Sequence, residues 1–171
     1  MRLVLLILIG FGLLVLAVLL VGLALPKQHR ATRERLVAAS PDAVFRVITT
    51  PAEFPTWRAR VREVELLADE AGKPRFREHG RDGVITYVLE EAIPSKRVVS
   101  RIDDPSLPFG GTWTFELTPA DGGTLLRITE DGEVSNPLFR FMSRFVFGHH
   151  AGIETYLADL GRHLAPVASL P

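Results

Sequence analysis

Gly111-Thr112-Trp113-Thr114-Phe115-Glu116-Leu117, the turn Asp121-Gly122-Gly123, and then Leu126-Arg127-Ile128-Thr129-Glu130-Asp131 decide the fold. Apolar and polar side chains alternate with a period of two on either side of a glycine break. Such alternation reads as half-buried strand, and two runs around a glycine turn read as an antiparallel hairpin. Trp113, Phe115 and Leu117 share one face; Thr112, Thr114 and Glu116 share the other. Leu126 and Ile128 form the apolar face of the second strand, and Glu130 falls on it, so its carboxylate is expected to point inward.

Working outward, further strand patterns occupy residues 61–68, 75–79, 84–92 and 97–103, separated by breakers such as Gly72-Lys73-Pro74 and Pro94-Ser95. The short connections predict antiparallel neighbours. Upstream, Ser40-Pro41-Asp42-Ala43 is an N-cap with Pro at the first helical position, followed by Val44, Phe45, Val47 and Ile48. Residues 52–58 read as a second short helix around Pro55, with Phe54 and Trp57 inward. An entry strand runs through Thr32, Glu34 and Leu36. Downstream, Asn136-Pro137 opens a segment whose apolar positions Leu138, Phe141/Met142, Phe145, Ile153, Tyr156, Leu160 and Leu164 recur at helical spacing. This spacing predicts one long amphipathic helix over 138–164. The order gives an α+β domain in which that helix covers the apolar face of the sheet.

The N-terminal region is of another kind. Residues 3–25 contain no charged, amide or hydroxyl side chain. At helical rise they reach roughly 34 Å, enough for a hydrocarbon core of about 30 Å. A cleaved signal peptide has a shorter apolar core, about 7–15 residues, so an uncleaved anchor over 1–26 is expected, with a ligand-binding domain over 27–171. Lys27, Arg30, Arg33 and Arg35 follow the span, against Arg2 and the amine before it. The positive-inside rule then puts the domain in the cytoplasm and makes the chain a single-pass membrane protein. Of the 20 basic side chains only Arg2 lies within the first 26 residues, so the remainder is nearly neutral against 20 acidic ones. That balance gives no general attraction to nucleic acid. Cysteine is absent, which excludes disulfides, thiolate nucleophiles and zinc sites with Cys ligands. No nucleotide-binding or hydrolase motif occurs, and the histidines lack ligand spacing, so no cofactor and no metal are expected.

Three stretches carry a resemblance: Ala39-Ser40-Pro41-Asp42-Ala43-Val44-Phe45, Pro51-Ala52-Glu53-Phe54-Pro55-Thr56-Trp57, and the Gly111–Leu117 strand quoted first. With the terminal helix they resemble the START-related superfamily known as SRPBCC, or polyketide cyclase/dehydrase, over about residues 29–165. The resemblance implies a helix-grip fold, a curved antiparallel sheet of about seven strands wrapped around the C-terminal helix over an apolar cavity. Members bind lipids, sterols, hormones or polyketides, and only some are enzymes. No catalytic motif is shared across the superfamily, so none is carried over.

Face assignments then nominate the ligand-contacting residues. Glu78 shares a face with Phe76, and Tyr87 shares one with Ile85 and Leu89, although Val84, Thr86 and Val88 compete for the inward side. Trp113, Phe115, Ile128 and Glu130 come from the last two strands. Phe145, His149 and Tyr156 come from the buried stripe of the helix. Gly148 and Gly152, one turn apart, remove bulk near His149. Glu130 and His149 form a polar minority in an apolar pocket. Three readings stand for them: satisfied structural hydrogen-bonders, groups that orient a ligand, or an acid and base for ring closure. The function expected is a membrane-tethered binder or carrier of a lipid or other hydrophobic small molecule. The alternatives are a cyclase-like enzyme on a hydrophobic carbonyl substrate and a protein-interaction module with no ligand. The sequence names no protein partner. Residues 138–147 carry four phenylalanines and are apolar nearly all round, an excess for a helix that buries one stripe. They are expected either to dip into the bilayer interface, with the arginines at headgroup level, or to lie under covering loops.

Overall fold

A computed structural model describes residues 1–81, 83–148 and 150–165. Helix α1 (Arg2–Ala24) is the apolar N-terminal run. Strand β1 (Gln28–Val37) leads to α2 (Pro41–Ile48), a 3₁₀ turn at Pro51–Glu53 and the single turn α3 (Phe54–Trp57). Six strands follow: β2 (Val61–Glu70), β3 (Lys73–Gly80), β4 (Gly83–Ile93), β5 (Arg97–Ile102), β6 (Phe109–Ala120) and β7 (Gly123–Val134). The chain then forms α4 (Pro137–Met142), a π-helical turn at Ser143–Phe147, and α5 (Ala151–His163).

All seven strands join one antiparallel sheet in the order β1-β7-β6-β5-β4-β3-β2. Neighbours in sequence pair as hairpins from β2 onward, whereas β1 crosses to β7. The α2–α3 segment fills the interval between β1 and β2. Its start is set locally, since Ser40 accepts a hydrogen bond from Ala43 N at 3.3 Å and Pro41 takes the first helical position. This is the α+β helix-grip architecture expected from the sequence, a sheet curved over a C-terminal helix.

The two faces of the sheet differ in chemistry. Opposite-charge pairs cross strands on one face, among them Arg127–Glu34 at 3.0 Å, Arg101–Glu90 at 2.7 Å and Arg77–Glu65 at 2.8 Å. Exposed pairs of this kind contribute little stability, about 0–1 kcal/mol each, and mark a solvated surface. The other face carries Leu117, Leu126 and Ile128, which pack in one core with Val44 and Ile48 of α2 and Ile153, Leu157 and Leu160 of α5. Ile153, Leu157 and Leu160 follow helical spacing, and each buried aliphatic side chain contributes about 1.5–3 kcal/mol.

The long terminal helix predicted over 138–164 is not continuous. Its last straight part is α5, 13 residues. The preceding turn widens to π geometry, and Gly148 then takes φ 73°, ψ 151°, a conformation open essentially to glycine alone. The apolar periodicity survives this interruption, which is why spacing alone reads as a single helix.

Candidate ligand cavity

A cavity of about 520 Å³ lies between the inner face of the sheet and α5, within the 300–1,000 Å³ typical of small-molecule sites. Its sheet wall comes mainly from β3 (Phe76, Glu78), β4 (Ile85, Tyr87, Leu89) and β6 (Trp113, Phe115). Period-two alternation puts these side chains on one side, and the register confirms it by pairing Phe76 with Tyr87 and Glu78 with Ile85. The competition within β4 is thereby settled for Ile85, Tyr87 and Leu89. Helix α5 supplies Gly152, Thr155, Tyr156 and Asp159 at helical spacing. Ile48, Phe54, Leu89, Val98 and Phe115 are buried and close the inner end. Arg60, Gly83, Gly148, Ala151 and Gly152 are exposed lining residues and mark the mouth.

Tyr156 stands among three aromatic rings. Its centroid lies 5.2 Å from Trp57, 5.7 Å from Trp113 and 5.4 Å from Phe115. Phe76 stacks on Tyr87 at 5.4 Å and 20°, and meets Phe54 edge-on at 5.7 Å. Edge-to-face and offset packing of this kind adds about 0.5–1.5 kcal/mol per pair beyond the area buried.

One charged pair interrupts the aromatic wall. Arg58, immediately after α3, directs its guanidinium to the Glu78 carboxylate. Its Cζ lies 5.0 Å from the Phe54 centroid and 5.2 Å from that of Tyr156, within cation–π range. The Asp159 carboxylate accepts a hydrogen bond from Ala59 N at 3.0 Å, tying the backbone next to Arg58 onto α5. Burial works against the Arg58 cation, but the field of Glu78, helped by Tyr156 and Tyr87, outweighs it and raises its affinity for the proton. Burial also pushes the Tyr156 phenol well above the ordinary tyrosine value; nearby Arg58 opposes the shift only in part. Both groups therefore keep their protons through the neutral range, as a cation and a neutral donor.

Of the nine residues nominated from sequence, the cavity brings together Glu78, Tyr87, Trp113, Phe115 and Tyr156. Ile128 is fully buried in the packed core instead. Glu130 does lie on the inner face, paired in register with Trp113 and Ala31. Its carboxylate sits 3.7 Å from His29 Nε2, away from the cavity lining. The reason is topological: β7 lies beside β1, whereas the cavity opens beneath β3–β6, and no β7 residue lines it. Phe145 is 59% exposed, because the π turn rotates it off the stripe that α5 continues. His149 lies outside the described residues. Arg58 and Asp159 are the site residues that sequence reasoning missed. Their one available signal was the inward Glu78, a buried carboxylate that needs a cation, with Arg58 four residues beyond the inward Phe54. Among the described residues no group of three His, Asp or Glu side chains is placed to hold a metal ion. A second concavity of about 510 Å³, beside the start of β1, has a mixed lining that includes His29, Asp104 and Asp131 beside Leu107 and Phe109. Phe109 is its one phenylalanine, against the six aromatic side chains that line the first cavity.

A sheet gripping a helix over an aromatic-lined hollow is the START-type helix-grip fold. The sequence matches the family described as polyketide cyclase/dehydrase and lipid transport over residues 28–163, and the chain belongs to that family. No curated protein matches it. Among solved structures, a START superfamily protein from Mycobacterium smegmatis is similar at TM-score 0.64 and 18% identity, over 80% of this chain and 97% of that one. The Zhui aromatase/cyclase from Streptomyces sp. R1128 is similar at TM-score 0.62 and 15% identity, over 84% and 99%. The di-domain aromatase/cyclase BexL from the BE-7585A biosynthetic pathway gives TM-score 0.67 at 14% identity, over 82% of this chain and 51% of that one. The chain thus spans about half the length of the di-domain protein. At such identities the likeness is one of fold.

Proposed function

We propose that the chain is a membrane-anchored binding or carrier module for a hydrophobic small molecule bearing one polar group. The anchor is residues 1–26 and the ligand-binding domain is residues 27–171, facing the cytoplasm as a single-pass protein. The observation that carries this reading is the composition of the cavity wall. It is predominantly aromatic and aliphatic, with the Arg58–Glu78 pair beside Tyr156 and a polar minority of Arg60, Ser100, Thr155 and Asp159. An apolar enclosure with a few convergent polar groups is the general form of a ligand site. The Arg58 cation and the Tyr156 phenol both offer protons, which suits a ligand acceptor such as a carbonyl or carboxylate.

The cyclase-like alternative is less well supported. Its acid and base candidates are Glu130 and His149; Glu130 sits beside His29 and off the cavity lining, and His149 lies outside the described residues. The test is extraction of the full chain from membranes in mild detergent, followed by native mass spectrometry. A co-purifying apolar molecule at near-equimolar occupancy is expected, with occupancy falling at least several-fold in Arg58→Met/Glu78→Met. Wild-type protein that is consistently empty would overturn the proposal and favour the interaction-module reading.

A further inference from the structure

The anchor does not leave the domain as a free tether. Gly22 is the buried residue of α1, and a Cβ there would come within 2.1 Å of the Pro137 carbonyl oxygen. Val18, Gly22 and Leu25 are the positions of this stretch that lose exposure; spaced four and three apart, they form one helical stripe. Helix α4 packs along α1. Arg140, buried in α4, donates to Leu25 O at 2.9 Å, Leu23 O at 3.4 Å and Ser135 O at 3.2 Å. Its guanidinium thus satisfies carbonyls at the C-terminal end of α1, where the helix dipole favours a cation and where α1 has no basic residue of its own. Arg140 is therefore not the free headgroup-level arginine expected from sequence.

This packing sets a depth. Gly22, packed on Pro137, lies about 3 Å inside the end of α1 at helical rise, and the half-buried Val18 about 9 Å inside it, so α4 packs beside the apolar span and not beyond it. In α4 and the π turn that follows it, Leu138, Phe139, Phe145 and Val146 remain 46–59% exposed, and most apolar side chains of α1, against which α4 packs, are exposed as well. We propose that the α4–π segment is seated in the bilayer interface. It is clamped there by Gly22–Pro137 and Arg140, so that the domain has one fixed orientation on the membrane. The proposal rests on the reading of α1 as a membrane anchor. It also explains the position of the cavity mouth: the segment leads straight into Gly148, Ala151 and Gly152. An apolar ligand then passes between bilayer and cavity along this segment.

The absence of native cysteine makes depth measurable with single-Cys variants. The full chain, carrying Phe139→Cys or Phe145→Cys labelled with an environment-sensitive dye, is reconstituted in phosphatidylcholine/phosphatidylglycerol vesicles. Leu36→Cys serves as reference, since Leu36 is 53% exposed near the far end of β1. Labels at 139 and 145 should show several-fold less iodide quenching than at 36, with quenching by lipids carrying a shallow spin label. Iodide access equal to position 36, in protein that floats with the vesicles, overturns the interfacial seat and leaves the anchor standing. Shielding from iodide without quenching by labelled lipid means protein cover, such as a second copy, and also overturns it. Loss of flotation removes the anchor reading, and this inference with it. The clamp has its own variant: Gly22→Leu should still float, with a several-fold gain in iodide access at position 139. Unchanged access overturns the clamp.

Discussion

Arg58 and Glu78 are the pair whose removal should be most informative, because each is costly alone and dispensable together. Their side chains are only 20% and 10% exposed. Breaking one partner of such a pair leaves a desolvated charge and costs about 3–5 kcal/mol, whereas replacing both with apolar side chains is often neutral. Glu78→Ala should therefore lower stability by about 3 kcal/mol, with the Arg58→Met/Glu78→Met double variant recovering most of the loss. Thermal unfolding of the full chain in detergent measures both. Additive losses would mean that the two side chains are not coupled. Tyr156 gives a second prediction, through pH. Its folded value is raised above the unfolded value of about 10, so the neutral phenol is the form that the fold favours. The associated stability is complete below about pH 10 and is lost as pH climbs towards the folded value. Absorbance titration near 295 nm should show a phenolate step that appears only as the protein unfolds and that Tyr156→Phe removes. Retention of that step in Tyr156→Phe would refute the buried assignment. Glu78 and Tyr156 were legible because alternation and helical spacing assign faces. Arg58 was not, because a charged residue in a connecting loop has no period to place it.

At the scale of elements, the sheet was legible and the break in the terminal helix was not. A strand announces itself by alternation and a hairpin by its glycine turn, both local signals. The break at Gly148 depends on a positive φ that composition does not report, since glycine is tolerated within helices at modest cost. Its consequence is testable with a pair of glycines on either side of the mouth. Gly148→Ala forces a side chain into φ 73°, ψ 151° and should destabilise the protein by about 1–3 kcal/mol. At Gly152, an added Cβ would meet Trp113 Cζ2 at an ordinary 3.6 Å, so Gly152→Ala should leave stability within about 1 kcal/mol of wild type once its better helix propensity is counted. Gly152→Leu should keep the fold while occupying the mouth, and ligand occupancy by native mass spectrometry should fall several-fold. If Gly152→Leu binds as well as wild type, the mouth is elsewhere.

For the whole molecule, the sequence supplied an apolar span and a fold but not the joint between them. A run that is apolar on every side cannot indicate which side packs on the domain, so the Gly22–Pro137 contact had no signature in spacing. The joint has a functional consequence. Only Leu25, Pro26 and Lys27 separate α1 from β1, and three residues reach at most about 11 Å when fully extended. The Arg140 hydrogen bonds to Leu23 and Leu25 take up even this slack. On the proposed reading of α1 as an anchor, a domain so held would exchange ligand with the membrane that carries it and would not cross tens of ångströms of water to another. Vesicles bearing the full chain and loaded with a fluorescent fatty acyl probe should therefore show protein-dependent capture within their own bilayer. Transfer of the probe to protein-free acceptor vesicles should proceed at the spontaneous rate. Insertion of a long Gly/Ser linker after Lys27 lets the domain swing outward, since flexible reach grows with the square root of linker length, and should begin to accelerate transfer to vesicles held close by. Rapid transfer by the unmodified chain would show that the joint opens, and would recast the molecule as a shuttle and not a fixed port.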